Sequence, residues 1–218
     1  MDESVPIFPT AYLPSVLYMA HLAAYPSVSI EQKETFPKQT FRNRSTIATG
    51  NGVQTLIVPV IRPQGNHTRT EEMTISYGMR WHIQHWRAIV TAYNTSPFFL
   101  YYQDELEEIL LSQHESLIEL NDNLLHYLLK KLKIGCNIHY TDNYHPASST
   151  ANDYRYTLVT KKPMLSYPMT PYSQVFDTRY GFISNLSSID LLFNLGPEAE
   201  SYIKATADDL KTRGFITI

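Results

Sequence analysis

Hydrophobic and polar positions near the start of the chain predict a strand, a helix and a second strand. Residues 5–8 form a short apolar run between prolines, which is typical of a buried strand. Apolar residues then recur at helical spacing from Pro14 towards Pro26, and residues 28–30 form another short apolar run. Because a crossover helix is the usual way to join parallel strands, this order predicts a parallel pair.

The next segment has the pattern of a β-hairpin. Apolar and β-branched residues flank Gly50-Asn51-Gly52 on both sides, over residues 45–49 and 53–61. Asn-Gly accepts the positive φ angles of a type I′ turn, so we expect Asn51 and Gly52 at the tip of a two-stranded antiparallel hairpin. Pro59 lacks an amide hydrogen, which confines it to a strand end or a sheet edge.

Three helices are predicted between residues 79 and 133. The first, residues 79–94, is apolar almost all round, as is typical of a buried helix. Ser96 and Pro97 have the residue types that begin a helix, with Ser96 as the N-cap of the second. The third, residues 115–133, carries leucines at core spacing and ends at Gly135.

These elements predict an α/β fold. We expect a small mixed β-sheet with a β-α-β start and a β-hairpin, packed against the three-helix block. Ile189, Leu192 and Phe193 share one face of a predicted tail helix and should pack against the same core. No Gly/Ser-rich linker or long block of like charge divides the chain, so residues 1–218 are expected to form a single domain.

Composition narrows the classes of function. The net charge of −3 argues against a broad nucleic-acid surface, which needs a basic balance. A lone cysteine, Cys136, cannot form an intramolecular disulfide, and no apolar run approaches the ~20 residues of a membrane span. Residues 1–9 lack the basic segment of a signal peptide, so a soluble, cytoplasmic protein is expected. The sixteen tyrosines favour a tyrosine-rich core and alternatively suit pockets that stack sugars or bases.

Common cofactor and catalytic signatures are missing from the sequence. The chain has no GxxxxGK[ST], GxGxxG, GxSxG or HExxH motif and only eight glycines, so no cofactor is expected. His82 and His85 lie three residues apart on a predicted helix. No carboxylate or cysteine accompanies them nearby in the sequence, so no metal site is expected either.

The most distinctive cluster of charge lies between two phenylalanines. Lys38, Arg42 and Arg44 place three cations within seven residues. The planar fork of arginine suits phosphate or carboxylate, and the flanking aromatics can stack a sugar or a base. If this segment enters the hairpin as a strand, Arg42 and Arg44 point to one face. The structural alternative, which composition alone favours, is a solvated strand edge with ion pairs to Glu31 or Glu34.

Four blocks of sequence follow one another in a recognisable order. They are Pro9-Thr-Ala-Tyr-Leu-Pro14 with Tyr18; Phe36-Pro-Lys38 with Asn43-Arg44; Trp81, His85, Ile89, Tyr93, Pro97 and Phe99; and Tyr172-Ser-Gln-Val-Phe176 with Phe182-Ile-Ser-Asn-Leu-Ser-Ser-Ile-Asp-Leu-Leu-Phe-Asn194 and Gly196-Pro197. In this order they resemble the WbqC-like family, most closely the variants of Bacteroides-type bacteria. Two departures are Phe8, where a glutamine usually stands, and residues 161–171, a Pro/Tyr-rich stretch where the family has a glycine-rich segment.

The resemblance implies a role in surface-polysaccharide or O-antigen biosynthesis, because such proteins tend to be encoded among genes for that synthesis. It implies a transferase of an acyl or aminoacyl group, such as glycyl, to a sugar or sugar nucleotide. In this hypothesis His85 is the general base, the cations hold a phosphate or developing oxyanion, and polar side chains orient the sugar. The residues assigned to substrate binding are Tyr12, Lys38, Arg42, Asn43, Arg44 and Trp81.

Two alternatives stay open at this point. In the first, the chain is a non-catalytic sugar-nucleotide-binding or scaffolding protein of the same pathway, and His85 is a hydrogen-bonded core residue. The two hypotheses differ in geometry, because an enzyme needs His85 in an open pocket within reach of Arg44. In the second, the strand-helix-strand start is similar to that of nucleotidylyltransferases, although their histidine-glycine-histidine signature is missing. The sequence leaves the oligomeric state open.

Overall fold

A computed structural model of the protein describes residues 5–146, 152–158 and 167–216. The strands in these ranges are β1 (Ile7–Pro9), β2 (Ser27–Glu31), β3 (Arg44–Thr49), β4 (Gly52–Ile57), β5 (Val60–Ile61), β6 (Thr74–Ile75) and β7 (Asn137–Tyr140). The α-helices are α1 (Val16–Ala23), α2 (Trp81–Tyr93), α3 (Phe99–Leu111), α4 (Leu117–Lys131), α5 (Asp177–Tyr180), α6 (Ser188–Leu195) and α7 (Ala199–Thr212).

β1, β2 and β7 form a parallel sheet in which β2 is central. Phe8 pairs with Ile30 across the first two strands, and Val28 pairs with Ile138 across the second and third. Helix α1 connects β1 to β2, so the predicted parallel start is confirmed. Because all three strands run the same way, their carboxyl ends meet at one edge of the sheet.

β3 and β4 form the predicted hairpin, but the turn is of another type. Thr49 pairs with Gly52, which leaves Gly50 and Asn51 as the turn residues. Gly52 has a φ of +97°, whereas neither turn residue has a positive φ. A left-handed glycine directly after the turn is typical of a type I turn with a bulge rather than of a type I′ turn. The hairpin is confirmed, and the expected turn type was wrong.

The parallel and antiparallel strands lie in separate sheets. β4 ends before Pro59, and the chain resumes as β5, which pairs with β6 rather than with the hairpin. This break follows from the missing amide hydrogen of the proline. The α/β class is confirmed, with its parallel start, its hairpin and its helical block.

α2, α3 and α4 form the predicted three-helix block, in which α3 contacts both of the other helices. The expected cap of α3 was wrong. The Ser96 hydroxyl donates to the carbonyl of Tyr93 at 2.7 Å, and α3 begins only at Phe99. Ser116 does cap α4, because its Oγ accepts a hydrogen bond from the amide of Glu119.

The tail helices pack on different neighbours. α6 contacts α1, α3 and α4, whereas α7 packs along α1. Ile189, Leu192 and Phe193 are fully buried in the hydrophobic core, as predicted. The Phe193 ring meets Phe99 edge-on and Tyr93 at a tilt, which joins the tail to the helical block.

Candidate functional site

Tyr12, Trp81 and His85 come together inside the core. The Tyr12 hydroxyl lies 2.8 Å from Nδ1 of His85, and the Trp81 ring meets the imidazole edge-on at 5.1 Å between centroids. Tyr12 is 0% exposed, Trp81 2% and His85 7%. Three of the residues predicted from the sequence are therefore neighbours, and they lie within a packed interior.

Burial determines the protonation of this cluster. Desolvation lowers the pKa of His85 to about 4; the nearby His82 lowers it further, and a hydrogen bond to the Ile57 backbone opposes both effects. Desolvation also raises the pKa of Tyr12 well above its usual range. Both groups are therefore uncharged at neutral pH. An imidazole with so low a pKa is a weak general base, because such catalysis works best when the pKa is near the working pH.

His82 lies on the same helix and packs against other rings. Tyr77 and Trp81 each meet its imidazole edge-on. In residues 5–146, 152–158 and 167–216, no group of three or more histidine, cysteine, aspartate or glutamate side chains could hold a metal ion.

Arg42 and Asn43 are buried supports of the segment before β3. Nε and Nη2 of Arg42 lie 2.7 and 2.6 Å from Oε1 of Glu34. The Asn43 amide donates to the carbonyl of Val58 at 2.9 Å. The strand begins only at Arg44, so the alternation of a strand does not bring Arg42 and Arg44 to one face.

Arg44 lines an open cleft of about 380 Å³ between the hairpin and the segment before α6, here called the Arg44 cleft. Other side chains that line it include Phe41, Thr46, Val53, Thr55, Ser184 and Asn185. Within the described ranges no carboxylate pairs with Arg44, and its buried Nε has no hydrogen-bond partner. An unpaired guanidinium beside hydroxyl and amide groups is suited to phosphate or carboxylate. Lys38 is exposed and does not line the cleft.

Three distant segments are joined beside the Arg44 cleft. Asn185 adopts a left-handed φ of +53°, which asparagine tolerates better than most residues, and its Oδ1 accepts the amide of Leu17 in α1. Ser45 and Ser187 both donate to the carbonyl of Leu13, at 2.7 and 3.0 Å. These contacts fix the first strand of the hairpin, the loop before α1 and the tail relative to one another.

Asp190 forms hydrogen bonds with polar residues of the third and fourth sequence blocks. This fully buried carboxylate accepts hydrogen bonds from Tyr172, Tyr93 and Gln174, at 2.7, 2.9 and 2.9 Å. Desolvation raises its pKa, and the three donors partly offset that effect. These hydrogen bonds join α6 to the last residue of α2 and to the segment of Tyr172 and Gln174.

The site residues predicted from the sequence thus do not form one site: Tyr12, Trp81 and His85 lie in the core, whereas Arg44 lines the cleft. The prediction from the sequence did not include Ser184 and Asn185, which also line the Arg44 cleft. The sequence signal for these two was the Ser-Asn-Leu-Ser run of the tail, which was used for the resemblance but not for binding.

The profile of the WbqC-like protein family matches residues 10–162, well over half of the chain. The chain belongs to the WbqC-like protein family. One relative of this WbqC-like chain is the uncharacterized protein Rv1507c of Mycobacterium tuberculosis (strain ATCC 25618 / H37Rv). The two are 27% identical over 227 residues, which span 93% of the WbqC-like chain and 98% of the relative.

No solved structure matches this WbqC-like protein. Across the described ranges, none of its helices combines the length and the apolar character needed to cross a membrane.

Proposed function

We propose that the protein binds an anionic sugar derivative, such as a sugar nucleotide or a sugar phosphate, in the Arg44 cleft. The observation that carries the proposal is the unpaired state of Arg44 among the described residues. The two fully buried arginines behave differently, because Arg42 pairs with Glu34 and Arg155 pairs with Asp153 and Glu31. A partly buried cation without a partner is costly unless an anion binds it.

The other groups around Arg44 suit the sugar part of such a ligand. Thr46, Thr55 and Ser184 supply hydroxyls that can exchange hydrogen bonds with sugar hydroxyls, and Phe41 supplies an aromatic ring. The volume of about 380 Å³ falls within the range of roughly 300–1,000 Å³ typical of small-molecule sites.

Family membership supports the biological part of the proposal. The association of WbqC-like proteins with surface-polysaccharide and O-antigen biosynthesis points to ligands among the activated sugars of that synthesis. Such sugars carry phosphate or diphosphate groups, which is the chemistry that Arg44 would recognise.

In this proposal the protein acts by binding a ligand, and His85 stabilises the core. Acyl or aminoacyl transfer with His85 as the base would require its imidazole to reach an acceptor hydroxyl. The hydrogen bond to Tyr12, the burial and the pKa of about 4 all favour a structural role instead. The binding hypothesis therefore ranks above the transferase hypothesis.

Thermal unfolding with UDP-glucose, dTDP-glucose, GDP-mannose and glucose 1-phosphate tests the proposal. A ligand at 100 times its Kd stabilises by ~2.7 kcal/mol, which raises the Tm of a chain of this size by roughly 5–10 °C. Arg44→Gln should weaken binding about tenfold or more, since hydrogen bonds to charged groups contribute ~1.5–3 kcal/mol.

Arg87→Gln, at an exposed position on α2, is the matched control and should bind like the wild type. The proposal fails if none of the four compounds stabilises the protein, or if Arg44→Gln binds them with unchanged affinity.

A further inference from the structure

A second cleft lies where strands β2 and β7 end, here called the sheet-edge cleft. It has a volume of about 350 Å³ and is lined by Lys33, Glu34, Thr35, Arg69, Tyr144 and Tyr156. The first three of these follow β2 closely, and Tyr144 follows β7. In open α/β sheets, ligands bind in crevices outside the carboxyl ends of the strands. This cleft therefore lies at the edge of the sheet where ligands commonly bind.

Arg155 holds the segments that carry the two tyrosines. It is fully buried, and its guanidinium donates to both carboxylate oxygens of Asp153 and to Oε2 of Glu31. It also donates to the backbone carbonyls of His145 and Pro146, at 2.7 and 3.3 Å. These bonds use all five N–H donors of the arginine, so both segments have a fixed position relative to the end of β2.

The same guanidinium lies against two aromatic rings. Its central carbon is 6.0 Å from the ring centroid of Tyr144 and 5.6 Å from that of Tyr156. Tyr144 is nevertheless 49% exposed and Tyr156 39%. The cation–π contacts thus hold two open aromatic surfaces in place before any ligand arrives.

Glu34 supplies an acceptor at this cleft. Its side chain is only 4% exposed, and its Oε1 accepts the hydrogen bond of Arg42. No described residue donates a hydrogen bond to Oε2. Lys33 and Arg69 bring positive charge to the cleft, but both lie near Glu71, at 2.7 and 3.8 Å.

We propose that the sheet-edge cleft is a second ligand site and binds a neutral pyranose sugar. The apolar C–H face of the sugar would contact the rings of both Tyr144 and Tyr156, and a hydroxyl would donate to Oε2 of Glu34. A carboxylate acceptor disfavours a phosphate, and Glu71 lies near both neighbouring cations and offsets part of their charge. This site is separate from the Arg44 cleft, and its chemistry does not depend on the anion proposed there.

Saturation-transfer NMR with the methyl glycosides of glucose, galactose, mannose and N-acetylglucosamine tests the proposal. At least one should receive saturation through its ring C–H protons. Tyr144→Ala and Tyr156→Ala should each raise its Kd about three- to tenfold, as expected for the loss of one stacked ring. Tyr156→Phe keeps the ring and should bind like the wild type.

Two controls separate this site from the rest of the molecule. Tyr101→Ala removes a tyrosine that is 79% exposed on α3, and it should leave the Kd of the glycoside unchanged. Arg44→Gln should also bind the neutral glycosides with the wild-type Kd. The two proposals can therefore fail independently, one for the Arg44 cleft and one for the sheet-edge cleft. The proposal is overturned if no glycoside receives saturation, or if both tyrosine-to-alanine variants bind as tightly as the wild type.

Discussion

The replacement His85→Gln tests the structural role of the buried imidazole through the pH dependence of stability. Burial lowers the pKa of His85 to about 4 in the folded protein, against 6.5 for histidine in the unfolded chain. The unfolded chain therefore takes up this proton first as the pH falls. The stability contributed by the neutral imidazole is complete above about pH 6.5 and is lost as the pH drops towards 4.

The magnitude follows from the two pKa values. At about 1.4 kcal/mol per pKa unit, keeping His85 neutral in the fold makes about 3 kcal/mol of the stability depend on pH between about 7.5 and 4. At about pH 7.5, His85→Gln should be less stable than the wild type by about 1–2 kcal/mol, because the hydroxyl of Tyr12 loses its partner. Glutamine carries no titrating proton, so the difference should reverse near pH 4, where the wild type has lost about 3 kcal/mol and its advantage at neutral pH was only about 1–2 kcal/mol.

Urea unfolding followed by tryptophan fluorescence measures this difference across the pH range. Burial also lowers the pKa of His21 to about 4, but its contribution cancels because both proteins contain it. His139→Gln, at an exposed position, controls for the loss of a histidine as such. The reasoning is refuted if the difference between wild type and His85→Gln stays constant from about pH 7.5 to 4.

Three further perturbations probe the supports of the fold. Glu34→Gln should cost about 3–5 kcal/mol in a denaturant titration, because it leaves Arg42 buried without its ion-pair partner; a loss below about 1 kcal/mol would contradict this. Asn185→Ala should lower stability by about 1–2 kcal/mol, because the buried amide of Leu17 loses its hydrogen-bond acceptor; a Tm equal to the wild type would argue against this contribution. Deleting all residues after Ser184 should abolish cooperative unfolding; a truncated chain that melts at the wild-type temperature would make the tail an appendage.

The fold was predictable where its signal is local. The hairpin, the helical block and the parallel start follow from turn residues and from hydrophobic spacing. The pairing of β7 with β2 was not predictable, because Val28 and Ile138 are far apart in the sequence and no local pattern joins them. The separation of the antiparallel pairs from the parallel sheet is likewise a long-range property.

The candidate sites were less predictable than the fold. Assigning Arg42 and Arg44 to one anion clamp assumed that the strand includes both, whereas β3 begins at Arg44 and Arg42 turns inward to Glu34. The pair of Tyr12 and His85 joins the first and third sequence blocks through tertiary packing. The nearly all-apolar pattern of residues 79–94 indicated a buried helix, but no spacing rule could have identified Tyr12 as the partner of the imidazole.

The hydrogen bond that Asn185 accepts from α1 has a consequence for synthesis on the ribosome. Leu17 in the first turn of α1 receives its hydrogen-bond partner from a residue 168 positions further along the chain. During synthesis, the amide of Leu17 cannot form this hydrogen bond until nearly all of the protein has emerged from the ribosome. Contacts of such long range slow folding and leave apolar surface exposed in the interval. The first turn of α1 should therefore gain its full set of hydrogen bonds only after the tail segment around Asn185 has been synthesised and has docked.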